Sequence, residues 1–313
     1  MAFLQGLVDG VLIGGVYAVV AVGLTLLFGV VGIVNFAHGA IVMAGGYLTY
    51  QLYDSAGVDP YLSAVILAVL FFVVGVLFYA AFFRRLVKES LLPQALFTIG
   101  VSIVLINVAL AVYGPDVQSI DLPYSLSTVN IGEISMEVTR LVTFGAALLT
   151  TLLLYLLLWR TDFGIQVRAS AADRQTAELM GIRTLRVQSV ATGLSFACAA
   201  IGGAVLMPIL FVSPATGDQF TFLAFVIIVL GGLGSFFGAL VGGIIIGIAQ
   251  SLGATYVDGS TAQMLTFALF IVLLLFKPNG LFTRGERRPN GALSRLLRMF
   301  SRGGSARTAK ARV

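Results

Sequence analysis

Long apolar runs separated by short polar stretches fill most of the chain. About 20 apolar residues in a helix cross a hydrocarbon core of about 30 Å. Five runs of that length lie near residues 6–29, 36–53, 60–83, 94–113 and 140–159, and three further apolar blocks lie between Arg186 and Lys277. These continuous runs predict membrane-spanning helices, because the strands of a β-barrel would alternate apolar and polar residues.

The apolar block at residues 219–254 is too long for one crossing. As a single helix it would extend roughly 54 Å. The sequence Gly-Gly-Leu-Gly-Ser interrupts it at residues 231–235, so the block is predicted to cross twice or to re-enter. The expected fold is an all-α polytopic membrane protein with about eight to nine transmembrane segments, or seven if the block re-enters, and with its N-terminus outside.

The composition agrees with a chain that is surrounded by lipid. Of its 313 residues, 58% are hydrophobic and 11% are charged, whereas soluble domains are about 25% charged. The mean hydropathy is +1.01. A soluble core of this length would not absorb so much apolar surface.

The basic residues predict which connections face the cytoplasm, where Lys and Arg collect. All but Arg140 fall into three groups, which are Arg84, Arg85 and Lys88; Arg160, Arg168, Arg174, Arg183 and Arg186; and the ten from Lys277 to Arg312. Residues 1–283 are accordingly predicted to form the transmembrane domain, with a cytoplasmic loop at 160–187. Residues 284–313 form a basic tail that is predicted to be disordered and cytoplasmic, and attracted to anionic lipid rather than to nucleic acid.

Two glycine-broken segments have a similar sequence pattern. The stretch GVVGIVNFAHGAIVMAGG begins at Gly29, and GGLGSFFGALVGG begins at Gly231. Transporters often build their pathway from paired broken helices of this kind, although glycine patches also serve close helix packing. The candidate residues for a translocation pathway or a broken helix are Asn35, His38, Gly39, Gly231, Gly232, Gly234 and Ser235.

His38 is the one histidine of the chain, and Asn35 precedes it by three positions. On a helix two such residues share a face. They are predicted either to line the pathway or to bond backbone groups that the glycines free from the helix, since freed groups in lipid must find partners.

The sequence lacks several features that particular transport mechanisms require. Asp, Glu, Lys and Arg are absent from the interior of the predicted spans, which argues against proton coupling. No cluster that could form a metal or catalytic site is apparent, and no cofactor is expected. The chain also lacks the Gly-x-x-x-x-Gly-Lys-Ser/Thr phosphate loop, so ATP would be hydrolysed by a separate subunit unless the chain is a self-contained channel.

The loop at 160–187 contains a candidate docking helix. Ser170 with Asp173 forms a possible N-cap pair, and Gly181 is a plausible stop. Ala172, Thr176 and Leu179 fall on one face at helical spacing. Such a helix fits either a groove of a partner protein or the lipid headgroups.

Several stretches resemble the membrane subunits of high-affinity branched-chain amino acid ABC transporters. Gln175–Gly181, QTAELMG, resembles the Glu-Ala-Ala-x-x-x-Gly coupling motif of ABC importer permeases, with Gln175 and Thr176 replacing its first two residues. The resemblance of the long stretch from Gly6 to Leu48 is more specific than that of this short motif. YGPDVQS, LGGLGSFFGALVGG and FKPNGLF are similar to the same family, and the resemblance covers roughly residues 5–285.

The resemblance is to the shorter of two paired permeases, and it implies an ABC importer permease fold without enzyme activity of its own. It implies uptake of leucine, isoleucine and valine across a prokaryotic cytoplasmic membrane. The implied partners are a second permease, two cytoplasmic ATPases and an extracytoplasmic binding protein. The implied ATPase contacts are Arg174, Gln175, Thr176, Ala177, Glu178 and Gly181. Urea or a short amide remains an alternative substrate, and a channel for a small neutral solute an alternative function.

Overall fold

The computed structural model describes residues 2–123, 127–131, 134–256, 264, 267–268, 270–272, 275 and 280–282. The predicted tail at 284–313 lies outside this part of the chain. The first half contains the helices α1 (Ala2–Val31), α2 (His38–Ala56), α3 (Pro60–Phe78), α4 (Arg84–Leu86) and α5 (Leu91–Tyr113), with a π-helical turn at Tyr79–Phe83. The second half contains α6 (Val138–Arg160), α7 (Asp162–Ala172), α8 (Arg174–Leu179), α9 (Thr184–Leu206), α10 (Thr216–Gly231) and α11 (Phe236–Tyr256).

Six of the described helices are long and apolar enough to cross a membrane, as a polytopic helical membrane protein requires. They are Ala2–Val31, Pro60–Leu86, Leu91–Tyr113, Val138–Arg160, Thr184–Leu206 and Phe236–Tyr256. The shorter helix α10 is also apolar. The total of eight to nine segments stays a prediction, since residues 257–279 are described only in part.

Helices α1 and α9 form the centre of the bundle. Most of α1 and of α9 is buried inside the protein, whereas most of α5 is exposed. Helix α1 packs closely on α11, because a Cβ atom built on Gly14 would lie 2.8 Å from Cα of Ile244. Small residues allow this backbone approach, while α3, α5 and α6 keep broad apolar faces exposed.

A two-stranded antiparallel sheet is an exception to the all-α prediction. Strand β1 (Thr128–Ile131) pairs with β2 (Ile134–Glu137), with Val129 opposite Met136. Gln5 of α1 holds the sheet, because its side-chain amide donates to Ser135 O at 2.7 Å and accepts from Ser135 N–H at 3.1 Å.

Arg140, the basic residue outside the three groups, forms ion pairs beside this sheet. Its guanidinium lies 3.4 Å from Asp9 and 2.9 Å from Glu137. Arg140 is the one basic residue outside the three groups that are predicted to face the cytoplasm. The two carboxylates therefore compensate its positive charge.

Candidate functional site

The first glycine-rich stretch breaks the helix where the sequence predicts. Helix α1 ends at Val31, and Gly32 follows with a left-handed φ of 77°. Residues 33–35 have no regular structure, and α2 begins at His38. Glycine reaches this φ without the steric strain that a side chain would add.

The connection after Gly32 runs back into the protein. The Nε2 atom of His38 lies 2.9 Å from the carbonyl oxygen of Val20, so this ring nitrogen carries the proton and donates it. Val20 lies about 16 Å along α1 from Val31, at 1.5 Å per residue. Helix α2 therefore begins level with the middle of α1, and residues 32–37 return beside α1. Irregular backbone at such depth occurs where protein buries it or where it lines a cavity.

One side chain of the break itself and one each from α5 and α10 hold its backbone. Asn35 Oδ1 accepts the N–H of Ala37 at 3.1 Å. Thr98 of α5 accepts the N–H of Phe36 at 3.2 Å, and Thr221 of α10 accepts the N–H of Gly39 at 3.1 Å. The role of Thr221 was not foreseen, since a single threonine in an apolar run gives no signal in the sequence.

The predicted shared helical face of Asn35 and His38 is wrong, because Asn35 precedes α2. Both side chains are nonetheless buried, at 1% and 0% exposure. Asn35 Nδ2 and His38 Nδ1 have no hydrogen-bond partner within the described residues. The break therefore keeps one unused polar atom on each of these two side chains.

Gly39 allows α10 to approach the start of α2. A Cβ atom built on Gly39 would collide with Gly217 O and with the backbone nitrogen of Thr221. Any larger residue at this position would push the two helices apart. Helix α10 thus contacts the first break directly.

The second glycine-rich stretch separates α10 from α11, and the predicted interruption of the long apolar block is confirmed. Gly232 and Gly234 have left-handed φ values of 102° and 79°. Ser235 Oγ accepts the N–H of Gly238 at 3.1 Å, which caps the first turn of α11. A Cβ atom on Gly231 would collide with the backbone of Gly238, so the turn is tight.

The segment Gly280–Phe282 completes the second break. The N–H groups of Leu281 and Phe282 donate to Leu230 O at 2.8 Å and to Gly231 O at 3.1 Å. These are carbonyls that the end of α10 leaves without a helical partner. The end of the FKPNGLF stretch therefore stabilises a break about 50 residues earlier in the chain.

The end of α1, which leads into the first break, touches the second break. A Cβ atom built on Gly29 would lie 3.4 Å from Cα of Gly234, and one built on Gly234 would lie 3.6 Å from Cα of Gly29. The two stretches that the sequence pattern pairs are therefore in backbone contact. Their geometries differ, since the first returns along its own helix and the second is a tight turn, and an internal repeat stays a prediction.

The predicted docking helix is shorter than expected and begins later. Ser170 is buried inside α7, and Asp173 is the N-cap of α8. Asp173 Oδ1 accepts the N–H groups of Gln175 at 2.9 Å and Thr176 at 3.2 Å. The hydroxyl of Thr176 also donates to Asp173 Oδ2 at 2.6 Å. These hydrogen bonds, that of the Thr176 side chain first, lower the pKa of Asp173.

Gly181 ends α8, as the sequence predicts. It has a left-handed φ of 83°. Its N–H donates to Glu178 O at 3.0 Å, and the N–H of Ile182 donates to Ala177 O at 3.0 Å. This pair of bonds is the Schellman arrangement, in which glycine is favoured at the left-handed position.

Most side chains of α8 and of the following Met180 are exposed. Ala177 is buried, and Glu178 accepts from the Thr184 hydroxyl and pairs with Arg174 at 3.2 Å. Thr184 first and Arg174 second lower the pKa of Glu178. The exposed residues are Gln175, Thr176, Glu178, Leu179 and Met180.

Leu179 and Met180 are 87% and 78% exposed. Ala172 does not share their helix, because α7 ends there and Asp173 separates the two helices. The exposed end of α8 is therefore an apolar tip formed by two residues.

An aromatic cluster connects this loop to the second break. The Arg168 guanidinium of α7 lies 5.7 Å from the centre of the Trp159 ring, and it also donates to Leu158 O. The Trp159 ring lies 5.1 Å from that of Phe236, the first residue of α11. Trp159 of α6 therefore contacts both α7 and the start of α11.

Comparison with known proteins identifies the family. The family described as "branched-chain amino acid transport system / permease component" matches residues 6–274. No solved structure matches the chain.

The relatives match along nearly their whole length. The high-affinity branched-chain amino acid transport system permease proteins LivH of Salmonella typhimurium LT2 and of Escherichia coli K12 are each 31% identical over 300 residues, which covers 91% of this chain and 96% of theirs. The corresponding protein BraD of Pseudomonas aeruginosa PAO1 is 30% identical over 302 residues, 91% of this chain and 97% of its own. The chain belongs to the family of branched-chain amino acid transport system permease components.

Proposed function

We propose that this chain is the permease subunit of an ATP-driven importer of leucine, isoleucine and valine. The observation that carries the proposal is the match, over 91% of the chain, to permeases named for branched-chain amino acid transport. Neither urea nor a short amide has comparable support. The chain would lie in a prokaryotic cytoplasmic membrane with its C-terminus in the cytoplasm.

A separate ATPase would supply the energy, since the sequence has no phosphate loop. Helix α8 is the proposed ATPase contact. Its exposed Leu179 and Met180 would insert into a groove of the ATPase, with Gln175 and Thr176 beside them. Ala177, Glu178 and Gly181 would help to hold α8 in position, because Ala177 is buried, Glu178 accepts from Thr184 of α9 and Gly181 forms the turn that ends the helix. Arg174 pairs with Glu178 within α8, and both side chains are exposed enough to contact the ATPase as well.

The two broken helices are the proposed lining of the translocation pathway. Their irregular backbone lies within a membrane bundle, where it is tolerated beside a cavity or inside protein. Asn35 and His38 retain unused polar atoms there, which would suit a segment that exchanges partners during transport. The complete assembly would contain a second related permease, two ATPases and an extracytoplasmic binding protein.

Uptake of radiolabelled leucine and urea in cells lacking this gene tests the proposal, with and without ATP depletion. We expect leucine accumulation to be lost in the deletion strain and restored by the intact gene only while ATP is available. Loss of urea uptake with leucine uptake unchanged would instead identify the protein as a urea permease. Equilibration of solute without ATP would instead indicate a channel.

A further inference from the structure

A cavity of about 180 Å³ lies between α1, α10 and α11, apart from the two breaks. Its volume corresponds to about six water molecules at about 30 Å³ each. It is smaller than the roughly 300–1,000 Å³ of pockets for drug-sized ligands. The cavity therefore has the size for one small solute.

Helix α10 presents one face to this cavity. Thr216, Gln219, Leu223 and Val226 line it, and their spacing of three and four residues places them on one side of a helix. Thr221 contacts the first break at Gly39. Helix α10 thus lies between the first break and the cavity, and its last residue, Gly231, begins the second break.

The polar part of the lining is uncharged. The Tyr17 hydroxyl, which is part of a buried residue, donates to Gln250 Oε1 at 2.8 Å. This bond uses the oxygen of the Gln250 amide and leaves its NH2 group to donate elsewhere. Gln219 adds a second carboxamide. Carboxamides can donate to a carboxylate and accept from an ammonium group.

The remaining lining is apolar. Leu210, Leu223 and Val226 contribute aliphatic side chains, and Phe211, Phe220 and Phe267 contribute aromatic ones. Together they would bury an apolar solute group. No Asp, Glu, Lys or Arg is among the described residues that line the cavity, so an ionic side chain of a solute would lose its hydration without an ionic partner. An apolar side chain of a solute fits this lining better than an acidic or a basic one does, and only the two carboxamides and the Tyr17 hydroxyl are available to its ammonium and carboxylate groups.

We propose that this cavity is a transient binding site for a branched-chain amino acid on its way through the membrane. The inference rests on the proposed function and adds the site at which the substrate is recognised. Gln250 and Gln219 bind the ammonium and carboxylate groups, and Leu223 and Val226 contact the side chain.

A substitution of Leu223 changes the size of the cavity, and the preceding residue, Phe222, offers a matched control. Leu223→Ala enlarges the site, whereas Phe222→Ala removes a side chain that is 62% exposed on another face of α10. Both variants are made in the complete transporter in cells. Uptake of labelled phenylalanine and leucine is measured and normalised to the amount of permease in the membrane.

We expect Leu223→Ala to raise the ratio of phenylalanine to leucine uptake at least threefold, and Phe222→Ala to leave this ratio unchanged. Leu223→Trp, which fills the cavity, should lower leucine uptake at least tenfold at equal membrane level. An unchanged ratio in Leu223→Ala, or an equal rise in Phe222→Ala, would overturn the assignment. Absence of leucine uptake by the wild-type protein would instead contradict the proposed function, which separates the two failures.

Discussion

Gly29 and Gly234 meet with no side chain between them, since each would place a Cβ atom within 3.6 Å of the Cα atom of the other. One glycine lies near the end of α1 and the other lies in the turn between α10 and α11. The contact places the last turn of α1, which leads into the first break, directly against the turn of the second break.

Gly234→Ala should destabilise the protein. Its φ of 79° is left-handed, which costs an L-residue about 1–2 kcal/mol. The melting temperature of the purified protein in detergent measures the loss. Gly145→Ala is the matched control, because Gly145 is helical and has open space around its Cβ position, and it should melt at the same temperature or higher. Equal melting temperatures of wild-type protein and Gly234→Ala would contradict the role of this turn.

Thr221→Val should loosen the first break. The substitution leaves the shape of the side chain but removes the acceptor of the Gly39 N–H. An unpartnered buried donor costs about 1–3 kcal/mol. Thr221→Ser keeps the hydroxyl and is the control, so its melting temperature should stay close to that of the wild type. If the serine and valine variants melted alike, the hydroxyl would have no structural role.

His38→Gln should retain most leucine uptake, because a carboxamide can still donate to Val20 O. His38→Ala removes both the donor and the ring from a fully buried position, and should lower the amount of folded permease in the membrane. Uptake is normalised to that amount. A collapse of normalised uptake in His38→Gln would show that the imidazole acts directly in transport rather than in holding α2 to α1.

Leu179→Asp and Met180→Asp should detach the ATPase without unfolding the permease. Both side chains are exposed, so the new charges cost the permease little, whereas they would be buried in the complex. Co-purification of the ATPase with tagged permease measures the effect, which should be a loss of at least tenfold. Leu179→Met and Met180→Leu are the conservative controls and should co-purify normally. Unchanged recovery with both aspartate variants would place the docking surface elsewhere.

Trp159→Ala should lower the amount of leucine transported per ATP hydrolysed. It removes the ring that contacts both Arg168 of the loop and Phe236 of α11. Trp159→Phe keeps an aromatic ring in this position and should preserve most of the coupling. The measurement is the ratio of leucine uptake to ATP hydrolysis in proteoliposomes that contain the whole transporter. A ratio unchanged by the alanine variant would show that coupling follows another route.

Local features were predictable from the sequence because they depend on neighbours along the chain. The apolar runs indicated membrane helices, and the glycines at 32 and 231–234 indicated where two of them break. Gly181 indicated the end of α8. The sequence predicted Ser170 and Asp173 as an N-cap pair, but Asp173 alone is the N-cap of α8. Both Ser and Asp are favoured at N-caps, so residue type did not distinguish them.

What the sequence by itself determined was the class of protein, its helices and the positions of the breaks, since hydropathy and glycine conformation act over a few residues. The tertiary structure decided that α2 starts beside Val20, that Thr221 holds the first break and that Gly280–Phe282 pairs with the second. It also brought Gly29 to Gly234 and Gln250 to Tyr17. These contacts join residues far apart in the chain, and they form because backbone and polar groups inside a membrane bundle must find partners wherever packing places them.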